Sequence, residues 1–209
     1  IEFFNESKSQ LLQELFVAIK LNFKKNGFFV EFGATDGVTL SNTNLLEKKL
    51  DWKGILVEPS LKFKSDLINN RNCNIDFRCV YNKSGDLILF NEVDMGELST
   101  INKYSESDIH KQNRRKGKKY EVKTITLESL LDEYNSPNII DYLSIDTEGS
   151  EYDILKDFNF NKYQFKIITV EHNFSENRVK IKSLLESKGY KRVYENLSKF
   201  DDWYLYDKK

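Results

Sequence analysis

Short apolar runs alternate along the chain with segments whose apolar residues recur at helical spacing. FFVEFG begins at Phe28, and GILVEP, IIDYLSIDTEG and FKIITVEHN occupy 54–59, 139–149 and 165–173. Helix-like stretches follow these runs at about 41–50, 61–70, 150–158 and 177–188. Strands that alternate with helices favour a mostly parallel sheet with helices on both faces. The pattern therefore predicts an α/β fold.

The two ends and the middle depart from this alternation. The segment 10–21 predicts a helix that covers a sheet edge, so we divide the chain into an N-terminal helical cover (1–26) and a main domain (27–209). YKRVYE and WYLYD, near the end, are joined by a polar turn too short for a crossover helix, so they are predicted to pair antiparallel. Between 76 and 125 the pattern predicts only a strand pair, FRCVY and DLILF, and a long polar loop. The apolar stripe of the first helix consists of Leu11, Leu12, Leu15, Phe16 and Ile19.

Composition narrows the class of protein. With 209 residues, 39% of them hydrophobic, the chain can bury one substantial core. The 32 basic and 33 acidic residues nearly cancel, so no overall field favours a polyanion such as nucleic acid. No run approaches the roughly 18 apolar residues of a membrane span, and we expect a cytoplasmic protein. The first residue is Ile1 and Met95 is the single methionine, which suggests a domain cut from a longer protein.

Four of the predicted strands end in an acidic residue. These are Glu31, Glu58, Asp146 and Glu171. Ligands of open α/β sheets bind beyond the carboxyl ends of the strands, so the four carboxylates are expected to border one ligand site.

The turn after the first predicted strand has the glycines of a nucleotide-type pocket. Gly33 and Gly37 allow a tight turn and close approach of a ligand. An NAD fingerprint needs three glycines, and Glu31 would repel a pyrophosphate, so a ligand with an ammonium group fits better. Glu58 stands where a carboxylate accepts the ribose hydroxyls of an adenosine. Ser41, Asn42 and Thr43 either cap the next helix or hold the carboxylate of an amino-acid group.

These motifs occur in an order that resembles a known family. VEFGATDGVTLSNT, ILVEPS, YNKSGD, ELSTIN, VKTITLESLL, DYLSIDTEGSEYDILKDF and IITVEHN are similar to the FkbM-type methyltransferases, from Gly27 onward. The resemblance implies a Rossmann-like class I methyltransferase fold, with a mostly parallel seven-stranded sheet, a C-terminal antiparallel hairpin and S-adenosyl-L-methionine as cofactor. The residues assigned to the cofactor are Glu31, Gly33, Ala34, Thr35, Gly37, Ser41, Asn42, Thr43, Glu58, Pro59 and Asp146.

Methyl transfer to a hydroxyl needs an aligned acceptor and a group that removes its proton. Asp146, Glu148, Glu171 and His172 are the catalytic candidates, with His172 or Asp146 as the base. Two alternatives stay open. His172 is a structural residue, or a divalent cation held by Asp146, Glu171 and Asn173 orients the acceptor.

The acceptor is expected to be a hydroxyl of a sugar in a glycan or glycoside, and fusion to glycosyltransferase domains would suit that substrate. A non-sugar metabolite is the first alternative. A nucleic-acid methyltransferase would need a wide basic surface, and an inactive binding module would be expected to lose the strand-end acids. The basic run Lys111–Lys119 is interpreted as a solvated loop, or else as a lid or docking strip for an anionic acceptor.

Overall fold

The structure is a computed structural model that describes residues 2–106 and 110–207. Its helices and strands, in chain order, are α1 (Glu2–Glu6), α2 (Gln13–Lys20), β1 (Phe28–Phe32), α3 (Asn44–Leu50), β2 (Lys53–Val57), α4 (Lys64–Asn70), β3 (Asn74–Asp76), β4 (Cys79–Val80), β5 (Leu87–Glu92), β6 (Thr100–Ile101), α5 (Lys111–Arg114), β7 (Lys118–Ile125), α6 (Leu127–Glu133), β8 (Ile139–Ile145), α7 (Glu151–Leu155), β9 (Gln164–Glu171), α8 (Asn177–Ser187), β10 (Tyr190–Val193) and β11 (Asp201–Tyr206).

The main sheet has seven strands in the order β10-β11-β9-β8-β1-β2-β3. Neighbouring strands are parallel from β9 across to β3, whereas β11 runs antiparallel to both β9 and β10. The prediction of a Rossmann-like α/β fold with a C-terminal hairpin is confirmed.

The central strands are apolar on both faces because helices cover both faces. Val30 and Leu143 belong to a hydrophobic core on one face of the sheet, while Phe29, Tyr142 and Ile167 belong to a second core that includes α2 and α3. Successive residues of a strand point to opposite faces, so a strand buried on both sides becomes a continuous apolar run. This explains why the strands were visible in the sequence.

The first long helix differs from its predicted stripe. Leu15 and Phe16 are buried, but Leu12 is 39% exposed and Ile19 is 58% exposed. Leu12 precedes α2 in a left-handed conformation (φ 62°), so it lies outside the helix. The buried face is Leu15 to Ala18, with Phe16 stacked on Trp203 at 4.6 Å between ring centroids.

The structure differs most from the prediction in the middle of the chain. It forms a second sheet in the order β4-β7-β5-β6, in which β4 pairs with β7 and not with β5. The eight-residue strand β7 falls in the segment predicted to be loop. Its exposed lysines and glutamate alternate with buried Val122 and Thr124, and this half-polar pattern resembled a solvated loop.

Among the described residues, no helix is long and apolar enough to cross a membrane.

Candidate functional site

A cavity of about 450 Å³ lies at the carboxyl edge of the parallel strands. All four strand-end acids line it: Glu31 of β1, Glu58 after β2, Asp146 after β8 and Glu171 of β9. The second sheet and the segments before α2 and after β9 complete the wall. The structure therefore places around one cavity the four carboxylates that were expected to border one ligand site.

The glycine turn allows β1 to approach the end of β8. Gly33 has φ +76°, and a Cβ at this position would lie 2.0 Å from the backbone oxygen of Asp146. Gly37 has φ +79°, and its Cβ would lie 2.6 Å from Cγ of Arg71. Side chains rarely adopt such φ values, so both turns require glycine. Gly33 and Thr35 line the cavity, whereas Gly37 supports the turn from behind.

Glu58 faces the cavity from the edge of the turn. Its carboxylate accepts hydrogen bonds from the backbone N–H groups of Thr35 (2.9 Å) and Ser60 (2.8 Å). Burial outweighs these bonds and raises the pKa of Glu58 to about 7. Pro59 lines the cavity beside it.

Glu31 is held by the residues that were expected to bind cofactor. It accepts hydrogen bonds from Ser41 Oγ (3.1 Å), Asn42 N (2.6 Å) and Thr43 Oγ1 (2.5 Å). Buried Arg71 contacts the same two hydroxyls and lies 3.9 Å from Glu31. Burial raises the pKa of Glu31 despite these partners.

Three of the residues predicted to bind the cofactor do not line the cavity. Ser41 and Thr43 instead hydrogen-bond to Glu31 and Arg71, and so support a carboxylate of the wall. Ala34 is fully buried and also lies outside the lining.

Asn42 does line the cavity and has one unsatisfied atom. Its Nδ2 donates to Ser144 Oγ at 3.0 Å, but its buried Oδ1 has no hydrogen-bond partner among the described residues. A buried amide oxygen without a donor is costly. A ligand that carries an ammonium group would satisfy this oxygen.

Three acids meet at the ends of β8 and β9. Carboxylate oxygens of Asp146, Glu148 and Glu171 all lie within 4.8 Å of one another. Burial raises the pKa of Asp146 to about 7, and a hydrogen bond from Glu171 opposes this rise. Burial and then the charges of Asp146 and Glu148 raise the pKa of Glu171 well above its ordinary value. The two carboxyls therefore titrate as a coupled pair in which burial favours the neutral form of each.

Arg114 is the functional residue that the sequence analysis missed. It was assigned to a solvated basic loop, yet its side chain is fully buried and its Nη2 lies 2.6 Å from Glu148 Oε2. Its Nε donates to the backbone oxygen of Leu98 at 2.8 Å. Arg114 thus joins the segment before β7 to the acidic cluster. Arg115, Lys116 and Lys118 are exposed, as expected.

Asp146, Glu148 and Glu171 are close enough to offer three oxygen ligands to a metal ion, but two hydrogen-bond donors already contact this cluster. Asn173 donates through Nδ2 to Glu171 (2.8 Å) and to Glu148 (3.1 Å), so it approaches the acids as a donor. The guanidinium of Arg114 already neutralises Glu148. A divalent cation would have to displace both groups.

His172 does not line the cavity of about 450 Å³. It follows Glu171, the last residue of β9. Its Nε2 lies 3.8 Å from Asp202 Oδ1, its Nδ1 accepts a hydrogen bond from Phe174 N at 3.0 Å, and it borders, together with Glu171, a neighbouring cavity of about 380 Å³. The structure therefore places His172 outside the cavity that the four strand-end acids share, whereas Asp146, the other predicted base, lines that cavity.

Comparisons with known proteins identify the family of the chain. A family model described as the methyltransferase FkbM domain matches residues 31–206. No curated protein sequence matches the chain. One solved structure that resembles it is precorrin-6y C5,15-methyltransferase from Geobacter metallireducens GS-15, at 11% identity and a TM-score of 0.49, over 92% of this chain and 81% of that chain. Because the family model spans most of the sequence, the chain belongs to the FkbM family of methyltransferases, which generally use S-adenosylmethionine.

Proposed function

We propose that the protein is an S-adenosylmethionine-dependent O-methyltransferase that acts on a hydroxyl group of a sugar. The observation that carries this proposal is the Asp146–Glu171 pair, which borders the same cavity as the glycine turn and Glu58.

The part of the cavity beside the glycine turn offers groups for the ammonium and the ribose hydroxyls of S-adenosylmethionine. The orphaned Oδ1 of Asn42 and the carboxylate of Glu31 suit the ammonium. Glu58 suits the ribose hydroxyls, because its backbone bonds fix both of its oxygens at the edge of the turn. When bound, S-adenosylmethionine supplies a methyl group on a sulfonium and departs as a neutral thioether.

Asp146 is proposed as the general base. The attacking hydroxyl oxygen forms the new C–O bond, and its proton passes to the carboxylate of Asp146. Glu171 keeps its own proton and donates a hydrogen bond to Asp146, which limits the rise in the pKa of Asp146. A base with a pKa of about 7 combines a large ionised fraction at neutral pH with useful proton affinity. The positive charge of Arg114 offsets the negative charge of Glu148, so the proposed proton transfer uses no metal ion.

The remainder of the cavity suits an acceptor with several hydroxyl groups. Side-chain amides supply both donors and acceptors without a net charge. This lining favours a neutral polyol such as a sugar ring over an anionic acceptor. The amides are those of Gln10, Gln13, Asn113 and Asn173.

Two measurements test the proposal. Calorimetry with S-adenosylhomocysteine should show binding that is weakened in Glu58→Ala and retained in Asp146→Asn. Transfer of tritium from S-adenosyl-L-[methyl-³H]methionine to a panel of glycosides should fall by about 10²–10⁴-fold in Asp146→Asn.

Asp141→Asn is the matched control, because it removes a carboxylate from the other end of β8. It should reduce stability but leave cofactor affinity and transfer unchanged. Absence of S-adenosylhomocysteine binding by the unmodified chain would refute the proposal. Methylation of a phenol but of no glycoside would replace the sugar by a non-sugar metabolite.

A further inference from the structure

The mouth of the cavity has an apolar rim. Leu40, Met95 and Phe174 all line the cavity, yet they are 36%, 50% and 67% exposed. They come from three separate segments: the glycine turn, the loop after β5 and the loop after β9. Exposed apolar residues that converge on a cavity mark a place where a ligand covers them.

Phe174 is held at this rim by an unusual backbone. Asn173 has φ +41° and Phe174 has φ +57°, so two consecutive non-glycine residues are left-handed. A bulky residue rarely adopts this conformation unless its surroundings impose it, and such residues cluster at ligand sites.

The contacts that hold Phe174 in this conformation involve His172. Phe174 N donates to Nδ1 of His172 at 3.0 Å, and the two rings pack edge to face at 5.3 Å between centroids. His172 N and Asn173 N both donate to the backbone oxygen of Phe200, which fixes the loop against the segment before β11. The imidazole itself is 4% exposed and packs beside Asp202, so it cannot follow a moving loop.

We propose that Phe174 is the residue on which the acceptor stacks, and that His172 is a positioning residue that sets Phe174 through its Nδ1 acceptor. This inference rests on the proposed function and specifies its acceptor site. A pyranose presents one face of C–H groups and a rim of hydroxyls. An aromatic ring would cover the C–H face, while the amides of the wall meet the hydroxyls.

The first test changes the ring. Acceptors are the methyl glycosides of glucose, galactose, rhamnose and fucose, with catechol as a non-sugar probe, and the readout is tritium transfer. Phe174→Ala should raise the KM for the methylated glycoside about ten-fold, with kcat within two-fold. Phe174→Tyr, which keeps the ring, should stay within about three-fold of the unmodified protein.

Phe23→Ala is the matched control. Phe23 is 46% exposed and also has a left-handed backbone (φ +50°), but it lies outside the cavity. It therefore reproduces the loss of an exposed ring at a left-handed residue without touching the acceptor, and its KM should not change.

The second test separates positioning from catalysis. In His172→Asn the side-chain oxygen can replace Nδ1, whereas in His172→Gln it reaches the place of Nε2. We expect near-normal KM in His172→Asn, a KM raised about five-fold in His172→Gln, and little change of kcat in either. A collapse of kcat in both variants would make His172 the base and overturn its positioning role.

Binding of S-adenosylhomocysteine is measured for every variant. Unchanged cofactor affinity together with unchanged glycoside KM in Phe174→Ala would overturn the stacking proposal and leave the proposed function intact. Transfer by the unmodified protein to catechol but to no glycoside would also overturn it. Loss of cofactor binding in the unmodified protein would be a failure of the proposed function itself.

Discussion

Cofactor affinity should depend on pH through Glu58. Burial raises the pKa of its carboxyl to about 7, and the ribose hydroxyls need the ionised form as their acceptor. The ionised fraction falls from roughly nine-tenths at pH 8 to roughly one-tenth at pH 6. Because apparent affinity scales with the fraction of protein that is competent to bind, the Kd for S-adenosylhomocysteine should rise about ten-fold over this range, or ~1.4 kcal/mol. Affinity is gained as pH rises and levels off above about pH 8.

The assay is calorimetry at half-unit steps from pH 6 to pH 8. Burial also raises the pKa of Asp146 to about 7, but cofactor binding is expected to be retained in Asp146→Asn, so that variant should keep the roughly ten-fold ratio. Glu58→Gln should bind S-adenosylhomocysteine more weakly at pH 8. It should also lose the roughly ten-fold change of Kd between pH 6 and pH 8, because its amide does not titrate. Glu133→Gln is the control, because Glu133 pairs with Arg78 and lies outside the cavity. If Glu58→Gln keeps the full pH ratio of the unmodified protein, Glu58 is not the ribose acceptor.

Three further changes have defined outcomes. Gly33→Ala should cost about 2–4 kcal/mol by urea unfolding and abolish cofactor binding, whereas Gly85→Ala, also at positive φ but with no atom within 4 Å, should cost only about 1 kcal/mol. Arg114→Gln should create Mn²⁺ binding detectable by electron paramagnetic resonance, and equal Mn²⁺ binding by the unmodified protein would refute the role assigned to the guanidinium. The pKa of Asp141 is lowered because hydrogen bonds from two lysines outweigh its burial, so its stabilisation is present at neutral pH and is lost as pH falls through its lowered folded pKa. The stability difference between the unmodified protein and Asp141→Asn should therefore shrink between pH 5 and pH 2, and a constant difference would contradict it.

The central strands of the main sheet could be predicted because they are buried on both faces. The runs that end at Glu31 and Glu58 contain no polar side chain before that acid, so the sequence marks both the strand and its carboxyl end. The three-residue strand β3 carries no such pattern, and the seven-stranded sheet was implied by the family resemblance. Strand β7 could not be recognised, since one face is exposed and its lysines alternate with buried residues. Pairing of β4 with β7 joins residues more than forty positions apart, and two-residue strands carry no periodicity.

The candidate site could be predicted as a set of acids but not as a set of contacts. Arg114 and Arg71 reach partners more than twenty positions away, so nothing local distinguishes them from exposed arginines. The hydroxyls of Ser41 and Thr43 could bind a ligand, but both already donate hydrogen bonds to the buried carboxylate of Glu31. The placement of His172 outside the cavity could not be predicted, because it follows the last residue of β9 in a loop.

The position of β11 has a consequence for synthesis of the protein. This strand is made after β10 but lies between β10 and β9. While the ribosome is still adding residues 201–206, the edge of β9 has no partner, and an unpaired edge invites pairing with another chain. Asp201, which contacts Gln13, and Asp202, which lies beside His172, are made in the same stretch. Glu31, Glu58, Asp146 and Glu171 are therefore all synthesised before the residues that support the loop carrying Phe174.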